Sequence, residues 1–331
     1  VTDHAARVTH ARPAAIDLTV VSPEDPLSEG IVDRFQAAGL PIFGPTAAAA
    51  RLESSKAWAR DFMVRHAIPS PRFFVATDLP AAEAAIRELG GACVVKADGL
   101  AAGKGVVVAD DAATARAAAA AMLGGSFGAA GRRLLIEERL AGPELSVMAI
   151  SDGETYRILP LAQDHKRLRD GDQGPNTGGM GSYAPAAIAP ELRAQILAGI
   201  VEPTLSGMRA EGHPFTGCLF CGLMLTAQGP KVIEFNSRLG DPETQVQLPL
   251  LKTDLAALLW AAATGRLARL GPLEVHADRA AVCVVLASAG YPEAGRKGDP
   301  IRGLAEAAAL PGIKVLHAGS RAGAAGPEGS G

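Results

Sequence analysis

The sequence lacks both an excess of positive charge and any long hydrophobic run. Its 331 residues carry a net charge of -3, which argues against a general nucleic-acid binder, because such proteins need cations to displace counterions. No apolar run approaches the roughly 18 residues that span a membrane, and the first residues contain no uninterrupted apolar core of the signal-peptide type. We therefore predict a cytoplasmic protein without nucleic-acid or membrane partners.

Cysteine is scarce as well. Four scattered cysteines are too few for a disulfide framework at this length. Cys218 and Cys221 form a C-x-x-C pair, but they fall in an apolar segment that predicts a strand, where a spacing of three puts side chains on opposite faces. No second pair and no nearby His completes a zinc site. We interpret both as buried strand residues, with redox or metal use as the alternative.

Lysine is much less common than arginine, since only eight of the 32 Lys and Arg residues are lysines. An ammonium group is a compact point charge that a planar guanidinium does not replace. A chain that otherwise prefers Arg therefore draws attention to the places where it keeps Lys, among them Lys56, Lys96, Lys104 and Lys166.

The apolar pattern of the first half predicts alternating strands and helices. A strand over 16–21, a helix over 28–38 and a strand over 40–43 indicate part of a parallel sheet. One helix is predicted over 46–65. The elements predicted after it are strands at 73–75, 92–97, 106–109, 134–138 and 145–151 and helices at 80–89 and 111–123.

The second half opens with a long polar, glycine-rich stretch over 163–183, which has no periodicity and predicts a functional loop or a disordered segment. A helix over 190–211 precedes strands over 215–226 and 231–235. Further predicted elements are helices over 244–250 and 254–263 and a strand over 279–288. Residues 322–331 have the composition of a tail without core-forming potential.

A glycine-rich segment with two lysines joins two of the predicted strands. Glycines let backbone N–H groups approach a phosphate, and the ammonium groups of Lys96 and Lys104 neutralise its charge. A Walker loop needs four residues between its glycines, then Lys and Ser or Thr, at a helix start. Here Gly99 and Gly103 are three residues apart, Gly105 replaces the hydroxyl, and a strand follows. The segment predicts a hairpin flap over a triphosphate, with a solvated turn as the alternative.

Glu234, Asn236 and Arg238 stand at the end of a predicted strand. Alternation along the strand puts Glu234 and Asn236 on one face, and a carboxylate with an amide oxygen suits Mg²⁺. Arg238 is placed to stabilise phosphoryl charge. An exposed polar strand end is the alternative.

A third segment, 136–144, joins two predicted strands and carries Glu137, Glu138 and Glu144. Two adjacent carboxylates at such a junction suit an adenine and its ribose, but they equally suit a solvated linker. This segment alone does not decide between the two.

These three segments, in this order, resemble the ATP-grasp superfamily, in which two α+β subdomains clamp ATP between antiparallel sheets. The closest resemblance is to the phosphoribosylamine–glycine ligase family, and it extends over about residues 16–318. The motifs that carry it are 96–105, 164–166, 174–181 and 238–243.

The resemblance implies roles for particular residues. Lys56 and Lys96 contact ATP phosphates, and Arg238 lies by the γ-phosphate, so that Lys96 and Arg238 are the expected catalytic residues. Glu234 and Asn236 are the expected ligands of Mg²⁺ or Mn²⁺. The other expected nucleotide contacts are Gly99, Gly103, Lys104, Gly105, Glu137, Leu140 and Glu144. The expected substrate contacts are Asp164, His165, Lys166, Asn176, Thr177, Gly178, Gly179, Met180, Asp241, Pro242 and Glu243.

The resemblance also implies a reaction and a domain order. The expected substrates are ATP, glycine and 5-phosphoribosylamine, joined through a glycyl phosphate in purine biosynthesis. The expected fold is an α/β and α+β multidomain ATP-grasp protein, with a partial N-terminal parallel α/β domain at 1–45, an ATP-grasp domain at 46–265 and a truncated, β-rich C-terminal domain at 266–331. The flap subdomain is expected at about 70–140.

Some residues depart from the family pattern. Ser22 stands where the family usually has Gly, Leu239 stands where Phe is common, and a Gly-Gly-Arg-Glu-His type segment near the start is missing. We expect both ends to be incomplete. Two alternatives stay open: another ATP-grasp carboxylate–amine ligase, and a fragment that binds MgATP without turnover. The sequence does not distinguish a monomer from an oligomer.

Overall fold

The protein was analysed as a computed structural model, which describes residues 3–100, 105–323 and 326–330. Its first unit is a small parallel α/β layer in which Thr19 pairs with Ile42. Its elements are α1 (His4–Ala11), β1 (Thr19–Val20), α2 (Glu24–Ser28), α3 (Ile31–Ala37) and β2 (Ile42–Phe43). The helix predicted over 28–38 begins only at Ile31, because Gly30 has a φ of 81° and separates it from α2. A left-handed residue of this kind ends one helix and allows the next to start in a new direction.

The helix predicted over 46–65 is two helices, α4 (Arg51–Ser54) and α5 (Lys56–Arg65). Ser55 separates them with an extended backbone, and its hydroxyl caps α5 by accepting a hydrogen bond from the Trp58 N–H at 3.3 Å. This preference of Ser for the N-cap outweighs the helical spacing of the neighbours. The break places Lys56 at the first turn of α5.

The flap unit is an antiparallel sheet covered by two helices. Its strands run in the order β3–β6–β4–β5, and the predicted hairpin of β4 and β5 is present, with Lys96 opposite Val106. Asp78 and Asp111 cap the two helices through their side chains. The elements are β3 (Phe73–Ala76), α6 (Leu79–Glu88), β4 (Cys93–Ala97), β5 (Val106–Ala109), α7 (Ala112–Ala121) and β6 (Leu134–Glu138).

A second antiparallel sheet, in the order β14–β13–β7–β8, forms the centre of the molecule. The strands are β7 (Glu144–Asp152), β8 (Tyr156–Ile158), β13 (Thr216–Thr226) and β14 (Gly229–Asn236). Cys218 and Cys221 lie on β13, both are buried, and they belong to hydrophobic clusters on different faces of the sheet. Burial raises the pKa of both thiols, as expected for structural cysteines.

The polar stretch at 163–183 is not one loop, and that prediction was wrong. It contains β9 (Gln163–Asp164), β10 (Arg167–Arg169), β11 (Gln173–Asn176) and β12 (Gly181–Ala184). β12 pairs with β9 and with a strand about a hundred residues later. β10 pairs with the neighbouring β11, whereas β12 depends on a partner distant in sequence, which local periodicity does not reveal.

The helix predicted over 190–211 is present as one continuous helical segment with an irregular turn in its middle. α8 (Pro190–Ile196) and α9 (Glu202–Ala210) are joined by a π-helical turn, Leu197–Val201. Pro203 lies just after this turn and has no N–H to donate to the preceding turn of helix, so the regular bonding pattern is interrupted there.

The last part of the chain contains short elements only. They are α10 (Thr244–Gln247), α11 (Leu255–Ala263), β15 (Ala281–Val284), α12 (Leu304–Ala308), β16 (Ser320–Gly323) and β17 (Gly326–Gly329). β15 is shorter than the strand predicted over 279–288. The tail predicted over 322–331 includes a hairpin of β16 with β17, in which Arg321 pairs with Glu328 at 2.7 Å. In the described part of the chain, no helix has the length and apolarity needed to cross a membrane.

Candidate active site

A cavity of about 1050 Å³ separates the flap sheet from the central sheet. Lys96 reaches it from β4, and Glu234 reaches it from the opposite wall on β14. The glycine–lysine flap and the acid–amide pair therefore face one space.

Most of the predicted site residues line this cavity. Gly179, Met180 and Pro242 lie outside its lining, and Gly103 and Lys104 fall outside the described residues. The predicted residues that do line it are Lys56, Lys96, Gly99, Gly105, Glu137, Leu140, Glu144, Asp164, His165, Lys166, Asn176, Thr177, Gly178, Glu234, Asn236, Arg238, Asp241 and Glu243.

Strand alternation explains how Lys96 reaches the cavity. Cys93, Val95 and Ala97 of β4 are buried in the flap core, while Val94 and Lys96 point to the opposite face, as the two-residue period of a strand requires. The Lys96 ammonium is held by the Glu137 carboxylate at 2.8 Å and by the Ile233 carbonyl at 3.1 Å. One of its three hydrogens is left for a ligand.

The Glu137 carboxylate is occupied by two cationic side chains of the protein. Its carboxylate accepts a bidentate pair from Arg60 at 2.6 and 3.0 Å, as well as the contact from Lys96. Burial alone raises the pKa of Glu137, but the charges of Arg60 and Lys96 outweigh it and lower that pKa to about 2. Any contact of Glu137 with an adenine is therefore left to its backbone.

The stem of the glycine-rich flap is tied to the start of α5. The Lys56 ammonium donates to the Gly99 carbonyl at 2.6 Å. Asp98 accepts from the Ala57 N–H at 3.0 Å and forms an ion pair with Arg133. Burial lowers the pKa of Lys56, and the negative charge of Glu234 opposes this shift. Lys56 therefore brings a cation from a helix to the cavity beside Gly99, in addition to Lys96 from β4.

A β-bulge on β14 orients the predicted metal ligands. The register with β13 shifts between Gly222 and Leu223, which leaves Ile233 without a direct partner. As a result Val232 and Phe235 belong to the core, Phe235 also borders the cavity, and Glu234 and Asn236 both line it. Simple alternation would have put Val232 on the same face as Glu234, and the bulge changes this.

The residues present suit a hard divalent cation. Burial raises the pKa of Glu234, but the charges of Lys166, Lys96 and Lys56 prevail and lower it to about 2, so its carboxylate is ionised at neutral pH. Together with the amide of Asn236 it supplies oxygen ligands of the type Mg²⁺ takes alongside phosphate oxygens. Among the described residues no group of three or more His, Cys, Asp or Glu has the geometry of a metal site.

Lys166 is the centre of an acidic cluster in the cavity. Its ammonium lies 3.2 Å from Glu144, 3.5 Å from Glu234 and 3.9 Å from Asp164. Burial lowers the pKa of Lys166, but these three carboxylates outweigh burial and raise it well above its ordinary value. The ammonium is therefore permanently charged there.

Arg238 is held between two carboxylates that the sequence motifs did not single out. Its Nε lies 3.1 Å from Glu24 and 3.5 Å from Glu53. Glu53 also accepts from the Ser237 N–H at 2.8 Å. Burial raises the pKa of Glu53 to about 7, although Arg238 opposes this shift. The contact from Glu24 joins the first α/β unit to the wall of the cavity.

The loop that follows β11 is held from two sides. Thr177 donates its N–H and its hydroxyl to the Lys166 carbonyl, both at 2.8 Å. The Gly178 N–H donates to the Tyr291 hydroxyl at 3.0 Å. Gly179 has a φ of 126°, and a Cβ there would lie 2.5 Å from Cδ of Pro242. Gly179 and Pro242 therefore shape the wall of the cavity from behind.

Glu243 is a buried carboxyl group near this loop. It accepts from the Ser146 hydroxyl at 2.8 Å. Burial, together with the nearby charge of Asp164, raises the pKa of Glu243 to about 7.

Four residues of the site escaped the sequence analysis: Glu24, Glu53, Arg60 and Tyr291. A signal existed for Arg60, because it follows Lys56 by four positions and so lies on the same helical face. Glu24 lies two residues after Ser22, in a segment already noted for its resemblance to a family motif. For Glu53 and Tyr291 the sequence contains no comparable signal, since their partners are 184 and 113 residues away.

Comparisons with known proteins agree with this geometry. The family model described as phosphoribosylglycinamide synthetase, N domain, matches residues 1–53, and the model for the ATP-grasp (A) domain of the same enzyme matches residues 54–244. A phosphoribosylamine–glycine ligase from Streptomyces coelicolor is 51% identical over 323 residues, which are 97% of this chain and 75% of the relative.

Solved structures give the same picture. The phosphoribosylamine–glycine ligase of Thermotoga maritima superposes with a TM-score of 0.77 at 37% identity, covering 87% of this chain and 71% of that one. A biotin carboxylase–β,γ-ATP complex from Campylobacter jejuni has a TM-score of 0.71 at 17% identity, covering 90% and 66% of the two chains, and shows the shared fold alone.

The two facing sheets, the lysines on one wall and the acid–amide pair on the other therefore define an ATP-grasp ligase. Within that class the chain belongs to the phosphoribosylglycinamide synthetase family. The resemblance found in the motifs and the predicted ATP-grasp fold are both confirmed.

Proposed function

We propose that this chain joins glycine to 5-phosphoribosylamine at the expense of ATP, giving glycinamide ribonucleotide, ADP and phosphate in purine biosynthesis. The observation that carries the proposal is the single cavity onto which Lys56, Lys96, Glu234, Asn236 and Arg238 all open. The relatives reported above, which carry the name of this enzyme over nearly the whole chain, support it.

In the first step a carboxylate oxygen of glycine attacks the γ-phosphorus of ATP, and ADP leaves. Lys56 and Lys96 offset the negative charge of the phosphates, and Arg238, fixed by Glu24 and Glu53, stabilises the charge on the transferred group. Glu234 and Asn236 would hold Mg²⁺ or Mn²⁺, which would neutralise charge on the phosphate oxygens when bound.

In the second step the amine nitrogen of phosphoribosylamine attacks the acyl carbon of glycyl phosphate. An amide bond forms as the bond between the acyl carbon and the phosphate oxygen breaks, and the proton lost by the amine passes to the leaving phosphate. The acyl phosphate is open to water, so the flap around Gly99 and Gly105 has to close over it. We assign the binding of glycine and the amine to the acidic end of the cavity around Asp164, Lys166 and Glu243 and to the loop 176–180.

The proposal retains the domain order predicted from the sequence, with a substrate-binding α/β unit at 1–45, an ATP-grasp unit at 46–265 and a β-rich unit at 266–331. It also retains a cytoplasmic location, where purine precursors are made.

The test separates nucleotide binding from turnover. MgADP binding is measured by calorimetry. ADP formation is measured with glycine and freshly made phosphoribosylamine, and in parallel with other small acids and amines as alternative substrates. Glycine-dependent and amine-dependent turnover is expected. Turnover with a different acid would identify another ATP-grasp ligase, and nucleotide binding without any turnover would reject the activity for this chain.

A further inference from the structure

Arg60 is a buried cation to which no role in binding or catalysis has been assigned above. It lies on α5, one turn after Lys56, and is 2% exposed. All five of its N–H groups have partners. Two bond to the Glu137 carboxylate, two to the carbonyls of Val232 and Ile233 at 2.9 and 2.6 Å, and one to the sulfur of Met63 at 3.5 Å. Arg60 therefore has no donor left for a ligand.

The partners of Arg60 come from both sheets of the clamp. Glu137 lies on β6 of the flap sheet, and Val232 and Ile233 lie at the bulge on β14 of the central sheet. Lys96 binds the same carboxylate and the same Ile233 carbonyl. Arg60 and Lys96 thus bind the same carboxylate and the same carbonyl at the bulge. Of the two, only Lys96 has an N–H left that can donate to a ligand in the cavity.

The charges in this cluster do not cancel. Two cations, Arg60 and Lys96, face one carboxylate, and the three side chains are between 2% and 5% exposed. Without Arg60 the Lys96 ammonium would be neutralised by Glu137 alone. With Arg60 in place, one positive charge remains in a low-dielectric wall, where it acts strongly on an anion in the cavity.

We propose that Arg60 is a positioning residue for nucleotide binding, which acts by balancing the charge of Glu137 so that the charge of Lys96 remains available to the nucleotide phosphates. This role rests on the proposed function in one respect, namely that the phosphates lie beside Lys96. A purely structural role would instead depend on the hydrogen bonds of Arg60 to the bulge.

Two variants separate the charge role from a structural role. In Arg60→Met the carboxylate keeps one cation, so MgADP affinity falls by about 10- to 100-fold, the size expected for removing a charge several ångströms from the phosphates at an effective dielectric constant near 20. In the double variant Arg60→Met/Glu137→Met, one cation and one carboxylate are removed together. The net charge of the cluster is then the same as in the wild type. Replacement of a buried ion pair by apolar side chains of similar volume is often neutral, and Lys96 keeps its hydrogen bond to the Ile233 carbonyl at 3.1 Å. This double variant recovers MgADP affinity to within about fivefold of the wild type.

Arg65→Met is the matched control, because the half-exposed Arg65 lies on the same helix and pairs with Glu211 outside the cavity. It leaves MgADP affinity unchanged. All affinities are measured by calorimetry on folded protein, well below each variant's unfolding midpoint, and if Arg60→Met alone fails to fold, the double variant decides.

An affinity of the double variant that stays 30-fold or more below the wild type would overturn the charge role, and so would an unchanged affinity in Arg60→Met. A wild-type chain that binds no MgADP would overturn the nucleotide site itself, and this proposal with it. A wild type that binds MgADP but shows no glycine-dependent turnover would reject the ligase activity and leave the Arg60 comparison decisive.

Discussion

The Lys166 ammonium lies 3.5 Å from the Glu234 carboxylate and contacts Glu144 and Asp164 as well. One cation therefore offsets three acids that line the same end of the cavity. This pairing links the substrate segment, 163–183, to the strand that carries the predicted metal ligands.

Lys166→Met is expected to destabilise the protein, because it removes the cation that pairs with all three carboxylates. Since Lys166 is 27% exposed, the free energy of unfolding at pH 7 should fall by about 2–3 kcal/mol, less than the loss of about 3–5 kcal/mol expected for a fully buried pair. Lys231→Met is the control, since Lys231 is similarly exposed but, among the described residues, pairs with one carboxylate, Glu138, at 3.3 Å, and should cost less than about 1 kcal/mol. Urea unfolding measures both, and equal losses would contradict the cluster argument.

Glu234→Ala is expected to abolish metal-dependent turnover while the fold is retained. The reason is that Asn236 alone offers one oxygen ligand, and the metal contributes several kcal/mol of charge stabilisation in phosphoryl transfer. ADP formation is measured against Mg²⁺ concentration, with circular dichroism as the check on folding. Glu211→Ala, which removes a carboxylate outside the cavity, should leave turnover intact. Full activity in Glu234→Ala would refute the metal assignment.

Gly179→Ala is expected to impair the substrate loop. The backbone at φ 126° disfavours a side chain, and the new Cβ would meet Pro242 at 2.5 Å. Strain and overpacking together should cost about 2–5 kcal/mol, and the KM for glycine should rise while MgADP affinity is kept.

Gly171→Ala is the matched comparison for that loop. Gly171 has a φ of 69°, with nothing within 4 Å of a new Cβ, so this substitution should cost only about 1–2 kcal/mol of backbone strain. Similar effects of the two substitutions would show that Pro242 does not constrain Gly179.

Glu243 predicts a pH dependence of stability. Its folded pKa is about 7 and its ordinary value is 4.5, so the favourable contribution of the protonated group is complete below pH 4.5 and is lost as the pH rises through 7. The wild type should therefore lose up to about 3 kcal/mol relative to Glu243→Gln between pH 4.5 and pH 8.

The measurement for Glu243 is urea unfolding of both proteins at the two pH values. Glu306→Gln serves as the control, because Glu306 is exposed on α12 and should show no such difference. A gap between wild type and Glu243→Gln that does not change with pH would mean that the carboxyl group is not protonated on folding.

Several parts of the fold were accessible from local pattern. The β4–β5 hairpin follows from two β-branched runs joined by glycines, and the alternation in β4 correctly separates Lys96 from Val95. Helices α6, α7 and α11 begin close to the predicted positions because Asp78, Asp111 and Asp254 are strong N-caps. These features depend on neighbours within a few residues.

Other parts of the fold could not be predicted from local pattern. Of the strands within 163–184, β12 depends on a partner strand at Ala281–Val284, and the break at Ser55 depends on capping geometry that a helical pattern conceals. The bulge at Ile233 changes which residues face the cavity, since strict alternation from Glu234 would have placed Val232 there.

By itself the sequence determined the chemical types at the site: a glycine–lysine flap, a carboxylate with an amide, and an arginine, in an order that identifies the family. Only the tertiary structure decided how these groups are charged and held. Arg60 meets Glu137 across 77 residues, and Arg238 meets Glu24 across 214. The reason is physical, because the pKa values and orientations of buried ions depend on partners that folding brings together and that no local pattern specifies.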